Sequence, residues 1–277
     1  MAQARTLQNL CNVFESLDLP LNLEINAAGD WPHQFFSYDG AALAGVLTLQ
    51  AGPDVEICLA VHPARRRRGI GRRLLDAAVE ACRARGMAEA LLVCEAASRS
   101  GRAFVSATGA TYRNAEYRLR LDRVPEAGTG RGANVPATAR GLRLQPARVA
   151  DLEVLASIVA GAFGHPVEAE RRRLAADLEL PTHRFFIARD LGRPIGSVGV
   201  VTAGPRAYVI AMGVVPESRG HGYGRMMLET VLAMLLAEGQ TEIFIEVDAE
   251  NVAALSLYRS CGFRETTRYE FFRLAIQ

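Results

Sequence analysis

The feature that most restricts the fold of this chain is an internal repeat. The segment VHPARRRRGIGRRLL begins at Val61, and the similar segment VVPESRGHGYGRMML begins at Val214, 153 residues later. Residues 33–36 also match residues 183–186. Because the repeat is about as long as one domain, the sequence predicts two copies of a single domain fold.

A segment without apolar periodicity separates the two copies. It runs from Pro125 to Gly141 and is rich in Pro, Gly and other small residues, a composition that is typical of linkers. We therefore predict a first domain over residues 1–125, a linker over 126–140 and a second domain over 141–277.

The charge balance excludes several classes of protein. The 32 basic and 30 acidic residues give a net charge of +2, which is too low for us to expect nucleic acid or a membrane surface as a partner. The chain has no apolar stretch near the roughly 20 residues that cross a bilayer, and its first residues lack the apolar core of a signal peptide, so we expect a cytoplasmic protein. Every basic residue is Arg, and a chain without Lys cannot form a P-loop or anchor pyridoxal phosphate.

The five cysteines form neither a CxxC pair nor a Cys/His cluster. We therefore predict no metal site and no disulfide framework. The more ordinary expectation is that they are small buried residues. They are Cys11, Cys58, Cys82, Cys94 and Cys261.

Hydrophobic periodicity predicts a mixed α/β fold for the second copy. After a short strand and two helices, three β-rich runs joined by tight turns favour an antiparallel meander, over residues 185–189, 195–202 and 208–215. A helix over 224–238, a strand over 243–247, a helix over 251–260 and a final strand follow. The first copy repeats this pattern from the meander onward, but its front has only one amphipathic helix, with apolar residues Leu7, Leu10, Phe14 and Leu17.

A glycine-rich turn is the strongest chemical signal in each copy. In the second copy it reads RGHGYG from Arg219 to Gly224, between a predicted strand and a predicted helix. Glycines there allow backbone N–H groups to point into one concavity, and the helix dipole adds positive potential, so the turn suits a phosphate. The dinucleotide fingerprint GxGxxG does not fit, because Arg225 stands where its third glycine would be.

The pattern Arg-x-x-Gly-x-Gly resembles the pyrophosphate-binding motif of the GNAT superfamily of acyl-CoA-dependent N-acetyltransferases. Both copies carry it, at Arg219, Gly222 and Gly224 and at Arg66, Gly69 and Gly71. The segment IEVDAENVAALSLYRSCGF, which begins at Ile245, is similar to the distal motif of the same family.

The resemblance implies two tandem domains, each with a mixed, mostly antiparallel and splayed sheet flanked by helices. It implies acetyl-CoA as the cofactor, with the pantetheine arm pairing along the fourth strand, and a small-molecule or peptide amine as the substrate. The cofactor-binding residues that it implies are Met212, Val214, Val215, Arg219, Gly220, His221, Gly222, Tyr223, Gly224, Arg225 and Asn251.

Transfer of an acyl group to an amine calls for a base and an acid. The amine is mostly protonated at neutral pH, and the departing thiolate benefits from a proton donor. By the resemblance, Tyr258 matches the general acid and Glu246 matches a catalytic glutamate of the ribosomal-protein N-terminal acetyltransferases. Tyr258 as a packed aromatic, Glu246 as a structural carboxylate and water as the base remain open.

The first copy lacks this acid and base. Residues 153 positions before Glu246 and Tyr258 are Val93 and Val105. We therefore predict a structural or cofactor-binding partner rather than a catalyst. Its phosphate loop is retained and predicts a second cofactor site, formed by Arg66, Arg67, Arg68, Gly69, Ile70 and Gly71.

The leading expectation is an N-acetyltransferase that acts on a primary amine through the second copy. The tandem arrangement with a degenerate first half also resembles mycothiol synthases, which acetylate a small thiol-sugar amine. The alternative from another class is a non-catalytic acyl-CoA-binding or regulatory protein, because a fold does not guarantee activity. The sequence identifies neither the amine acceptor nor the oligomeric state.

Overall fold

A computed structural model of the chain describes residues 1–21, 23, 33–50, 54–122 and 141–276. The predicted linker, residues 126–140, lies outside the described residues. The chain divides into two units: unit 1 comprises Met1–Glu116 and Thr267–Gln277, and unit 2 comprises Tyr117–Thr266.

Unit 1 contains three α-helices among its described residues. They are α1 (Ala2–Glu15), α2 (Ile70–Arg83) and α3 (Arg99–Ser106). Its strands lie in the order β1-β2-β3-β4-β11-β5, where the bounds are β1 (Gln34–Asp39), β2 (Ala42–Gln50), β3 (Glu56–Val61), β4 (Glu89–Glu95), β5 (Thr111–Leu121) and β11 (Phe263–Ala275). The β3–β4 pair is parallel, and the pairs β1–β2, β2–β3 and β4–β11 are antiparallel.

Unit 2 has four helices among its described residues, and they flank its sheet. They are α4 (Leu152–Phe163), α5 (Val167–Asp177), α6 (Tyr223–Ala237) and α7 (Val252–Ser260). From β5 outward the strand order is β5-β10-β9-β8-β7-β6, with β6 (Arg143–Pro146), β7 (His183–Asp190), β8 (Arg193–Ala203), β9 (Arg206–Val214) and β10 (Glu242–Asp248). The β9–β10 pair is parallel, and β6 to β9 form an antiparallel meander. The predicted mixed, mostly antiparallel α/β class and the predicted meander are confirmed.

The units differ from the predicted domains 1–125 and 141–277 at two strands. The end of β11 belongs to unit 1, where it pairs with β4 from Tyr269↔Glu95 to Ala275↔Glu89. The end of β5, from Tyr117 onward, belongs to unit 2. Each unit thus contains a strand segment from the other copy of the repeat. Strand pairing depends on tertiary contacts, which a repeat boundary in the sequence does not encode.

Two apolar clusters cover opposite faces of the sheet in unit 2. The larger cluster joins α6 and α7 to side chains such as Val209, Ile245 and Val247. The smaller one joins α4 and α5 to Phe185 and Ile187, with Ile210 packed against it. The predicted apolar side of α6 is confirmed, with buried residues Met227, Leu228, Val231, Leu232 and Leu235.

The predicted apolar face of α1 is confirmed at Leu7 and wrong at Leu10 and Phe14. Leu10 and Phe14 are 41% and 63% exposed, whereas α1 buries Leu7 together with Ala4 and Cys11. These three buried residues also recur at helical spacing, and they pack on Leu43, Val46 and Cys58. Two apolar stripes thus share Leu7, and packing on the sheet decides which of them is buried.

All five cysteines are free and buried, as the sequence predicted. In the part of the chain that the structure describes, no helix combines the length and the apolar character needed to span a membrane.

Candidate active site

The parallel ladder between β9 and β10 ends in the middle of both strands. Its registered pairs run from Glu242↔Arg206 to Ile245↔Val209, although β9 continues to Val214 and β10 to Asp248. Backbone beyond the ladder lies at the edge of a gap, where an extended ligand can pair with it.

A bulge in β9 lies along this gap. The register with β8 shifts between Ser197 and Gly199, and Ala211 has a φ of 47°. A non-glycine residue in this left-handed region is uncommon and marks a local demand on the backbone. Ser197 supports the bulge, because its Oγ donates to the Ala211 carbonyl oxygen at 3.0 Å.

Two of the predicted pantetheine-binding residues already have partners for a backbone group. The Val214 carbonyl accepts from Arg219 Nε at 3.0 Å, and the Val215 N–H donates to Ile195 O at 3.0 Å. Met212 packs against the larger cluster. The part of β9 best placed to pair with a ligand is therefore the bulged stretch from Ile210 to Gly213.

The glycine-rich loop leads into α6 with the geometry of an anion site. Gly220 and Gly222 have φ values of 80° and 81°. Gly222 is the N-cap of α6, and no side chain caps this helix. The first N–H groups of a helix have no partner within it, so they point outward together and attract a negative group.

The polar side chains of the loop are held within the protein. Arg219 Nη2 donates to the Ala162 carbonyl at 2.9 Å, which ties the loop to the end of α4. Tyr223 donates its hydroxyl proton to Asp190 at 2.6 Å. His221 Nδ1 lies 3.3 Å from Ser218 O, and Arg225 Nη2 donates to Ser260 Oγ at 2.5 Å. These side chains shape the loop, and the backbone N–H groups are left to meet an anion.

Asn251 caps α7. Its Oδ1 accepts from the Ala254 N–H at 3.0 Å. A side-chain oxygen that accepts from the N3 amide is the usual N-cap contact. The geometry therefore gives Asn251 the task of fixing the start of α7, the helix that carries Tyr258.

Tyr258 lies on α7 and is 6% exposed within the larger cluster. Its ring centroid is 6.3 Å from that of Phe263. Among the described residues, its hydroxyl has no hydrogen-bond partner. Burial raises the pKa of Tyr258 to about 12, so the phenol keeps its proton at neutral pH.

Glu246 lies on the other face of the sheet. Phe244, two residues earlier on β10, stacks on Tyr208 of β9 at a centroid distance of 5.4 Å. Alternate residues of a strand share a face, so Glu246 projects to the side of Phe244, and Ile245 to the side of Tyr258. The carboxylate of Glu246 pairs with Arg118 of β5, a residue that the sequence analysis did not single out.

The predicted acid and base therefore stand on opposite sides of one sheet. They can act on the same atoms only where the sheet is open, and the β9–β10 ladder ends at Ile245, directly before Glu246.

A family model described as the acetyltransferase (GNAT) family matches residues 1–107 and 152–263. The chain belongs to the GNAT acetyltransferase family. The two matched regions agree with the two copies of the repeat.

Three individual proteins sharpen this placement. The chain is 33% identical to a mycothiol acetyltransferase from Clavibacter michiganensis subsp. michiganensis over 82% of this chain and 74% of that protein. It is 34% identical to the N-alpha-acetyltransferase RimI of Mycobacterium tuberculosis, over 48% of this chain and 82% of that protein. A solved tandem GNAT protein from the clavulanic acid biosynthesis pathway aligns with 99% of this chain and 95% of its own, with a TM-score of 0.72 and 21% identity.

The GNAT motif in unit 1 holds its arginine in the same way as the motif in unit 2. Arg66 Nε donates to the Val61 carbonyl at 3.1 Å, which matches the bond from Arg219 to Val214. Gly69 is the N-cap of α2, with a φ of 76°. Arg67, however, has a φ of 63° at the position of Gly220.

In unit 1 the Glu15 carboxylate contacts both the phosphate loop and the start of α3. One oxygen pairs with Arg66, whose guanidinium also lies 5.3 Å from the Phe14 ring centroid. The other oxygen accepts from Ser98 Oγ at 3.0 Å and from the Ser100 N–H at 3.3 Å, at the start of α3. Glu15 thus links the phosphate loop to the helix that corresponds to α7.

Further contacts join α1 and the residues after it to β3 and β4. The β3–β4 ladder has two registered pairs, Glu56↔Leu91 and Ile57↔Leu92, before the strands part. Cys11 Sγ then approaches Val61 O at 3.3 Å, and the Asp18 N–H donates to Glu95 at 2.7 Å. The loop of the predicted second cofactor site is present, and Glu15 and Cys11 of α1 contact it and the strand before it.

Proposed function

We propose that this chain is an N-acetyltransferase that transfers the acetyl group of acetyl-CoA to a primary amine, with catalysis in unit 2. The observation that carries the proposal is that Tyr258 and Glu246 lie on opposite sides of one sheet, and that Glu246 directly follows the last registered pair of the β9–β10 ladder. This arrangement admits the acyl donor from the side of Tyr258 and the amine from the side of Glu246.

The residues present fit acetyl-CoA. The uncapped N-terminus of α6 offers N–H donors to its pyrophosphate, and the bulged edge of β9 offers backbone groups to its pantetheine arm. When bound, acetyl-CoA supplies an acetyl group activated as a thioester.

Glu246 and Tyr258 divide the proton transfers between them. An alkyl amine has a pKa of about 10 and reacts only after it loses a proton, and the Glu246 carboxylate accepts that proton on the acceptor side. Tyr258 donates a hydrogen bond or a proton to the sulfur on the other side. The pKa of about 12 keeps Tyr258 protonated for this task.

For the acceptor we propose a small thiol-bearing amino sugar of the kind that mycothiol acetyltransferases acetylate. The mycothiol acetyltransferase of Clavibacter aligns with 82% of the chain, across both copies of the repeat, whereas RimI aligns with 48%. The longer alignment supports the sugar acceptor over a peptide N-terminus.

The test is an acetylation assay with two acceptors, mycothiol lacking its acetyl group and a peptide that begins with alanine. We expect release of free CoA together with a product heavier by one acetyl group for the sugar acceptor. Acetylation of the peptide alone would overturn the proposed sugar acceptor, but it would support the proposed acetyltransferase activity. Binding of acetyl-CoA with neither acceptor acetylated would favour the non-catalytic alternative.

A further inference from the structure

The Glu246 carboxylate is held by one of its two oxygens. Nε and Nη2 of Arg118 both lie 2.8 Å from Oε1. In the part of the chain that the structure describes, Oε2 has no hydrogen-bond partner. A bidentate arginine pair would use both oxygens. Here the contact is confined to Oε1, so it orients the carboxylate and leaves every lone pair of Oε2 available.

Arg118 and Glu246 differ in how far their side chains are buried. The Arg118 side chain is 8% exposed, and that of Glu246 is 43% exposed. A buried, rigid guanidinium loses little freedom when it orients its partner. The carboxylate in turn reaches the open face of the sheet.

Arg118 comes from an unexpected part of the chain. It lies within the predicted first domain, 1–125, but its strand β5 adjoins β10 in unit 2. Thr266 of β11 anchors the same strand by donating from Oγ1 to the Arg118 carbonyl at 3.2 Å. The segment that precedes the linker therefore supplies part of the acceptor side of the site.

We propose that Arg118 is the positioning residue of the acceptor site: it holds Glu246 through Oε1 so that Oε2 receives the ammonium group of the acceptor. The proposal rests on the proposed function. Arg118 does not touch the reacting atoms, and its effect on the reaction is exerted through Glu246.

The experiment is a double-mutant cycle on kcat and on KM for mycothiol lacking its acetyl group. We expect Arg118→Gln to lower kcat/KM for the acceptor about 10- to 100-fold, because a misplaced catalytic group is costly. We expect the affinity for acetyl-CoA to stay unchanged. Arg118→Gln combined with Glu246→Gln should be no slower than Glu246→Gln alone, because residues that act through one another are not additive.

Two further variants keep the test decisive. Arg120→Gln changes an exposed arginine two residues further along β5 and should leave kcat/KM unchanged. Arg118→Lys retains the charge in case Arg118→Gln does not fold, and it should recover part of the lost kcat/KM.

Additive effects of the two substitutions, or a wild-type kcat/KM in Arg118→Gln, would overturn the positioning role. Wild-type turnover in Glu246→Gln would instead overturn the base assigned in the proposed function. The two failures are therefore distinguishable.

Discussion

The two phosphate loops share an arginine that bonds to the end of the preceding strand, but they differ in what faces it. In unit 2, Arg219 also meets the backbone carbonyl of Ala162 at the end of α4. In unit 1, Arg66 meets the side chain of Glu15 at the end of α1, and that side chain continues to the start of α3. One contact ties its loop to a backbone carbonyl of α4, and the other ties its loop through a carboxylate to the start of α3.

This difference shows that a loop motif predicts the local backbone conformation and not the surroundings of the loop. Arg-x-x-Gly-x-Gly describes a local backbone path, and both copies follow it. What surrounds the loop differs between the copies, with Glu15 beside the loop of unit 1 and the bulge at Ala211 in the strand that precedes the loop of unit 2. The β2–β3 ladder pairs without a shift from Gly45↔Val61 to Gln50↔Glu56, so unit 1 has no matching bulge within this ladder.

The largest effect should come from removing the hydroxyl of Tyr258, because the corresponding residue of unit 1 is Val105. We expect Tyr258→Phe to lower kcat by about 10²- to 10⁴-fold, the usual contribution of a general acid. The affinity for acetyl-CoA, measured by calorimetry, should not change. Tyr112→Phe, at a tyrosine of unit 1 that is 55% exposed, is the control. Full activity in Tyr258→Phe would reduce Tyr258 to a core aromatic.

Matched substitutions at the two helix N-caps compare the loops directly. Gly222→Glu places a negative charge where the pyrophosphate should lie, and we expect it to weaken acetyl-CoA binding at least about 100-fold. Gly69→Glu carries the same backbone strain, since φ is 76° there and 81° at Gly222, but should leave binding unchanged.

Calorimetry on the unmodified chain should accordingly give one acetyl-CoA per chain. Two bound equivalents, with one lost in each glycine variant, would instead support the second cofactor site predicted from the sequence.

A moderate effect on stability should distinguish the Glu15–Arg66 pair from an exposed ion pair. Glu15 and Arg66 are 14% and 21% exposed. We expect Glu15→Gln to lower the free energy of unfolding by about 1–3 kcal/mol, because a partly buried donor network loses its charged acceptor. The control is Glu80→Gln, whose pair with Arg83 is exposed and should contribute less than about 1 kcal/mol. Equal effects in urea unfolding would argue against a special role for Glu15.

The smallest expected effect is the pH dependence of the stability that Glu15 contributes. Burial acts to raise the pKa of Glu15, but hydrogen bonds from Ser100, Arg66 and Ser98 outweigh it and lower the pKa below its ordinary 4.5. A lowered pKa adds stability that is complete above the ordinary value and is lost as pH falls through the lowered one. The gap in unfolding free energy between the wild type and Glu15→Gln should therefore hold above pH 4.5 and shrink below it. A gap that stays constant into acid would contradict the ionic contact.

Much of the fold followed from local patterns in the sequence. The meander, α6, and the final helix and strand have the predicted type because period and turn residues are local signals. The apolar face of α1 was predicted correctly at Leu7 and wrongly at Leu10 and Phe14, because two stripes of helical spacing pass through Leu7 and only packing on the sheet decides between them.

The site was predictable where its chemistry is carried by sequence spacing. The glycines of the loop are such a case, and the roles of Tyr258 and Glu246 stay predictions. Arg118 and Glu15 gave no signal, because an arginine inside a strand and a glutamate at a helix end are ordinary until their partners are known. Both act through pairs more than 50 residues apart in sequence, with Glu246 and Arg66.

The pairing of β11 with β4 has a consequence for synthesis of the chain. A ribosome delivers residues in order, so the strand that completes unit 1 is made after all of unit 2. While unit 2 is being translated, β4 lacks its partner and exposes an unpaired strand edge, a state prone to association with other chains. The half that is made first is the last to finish folding.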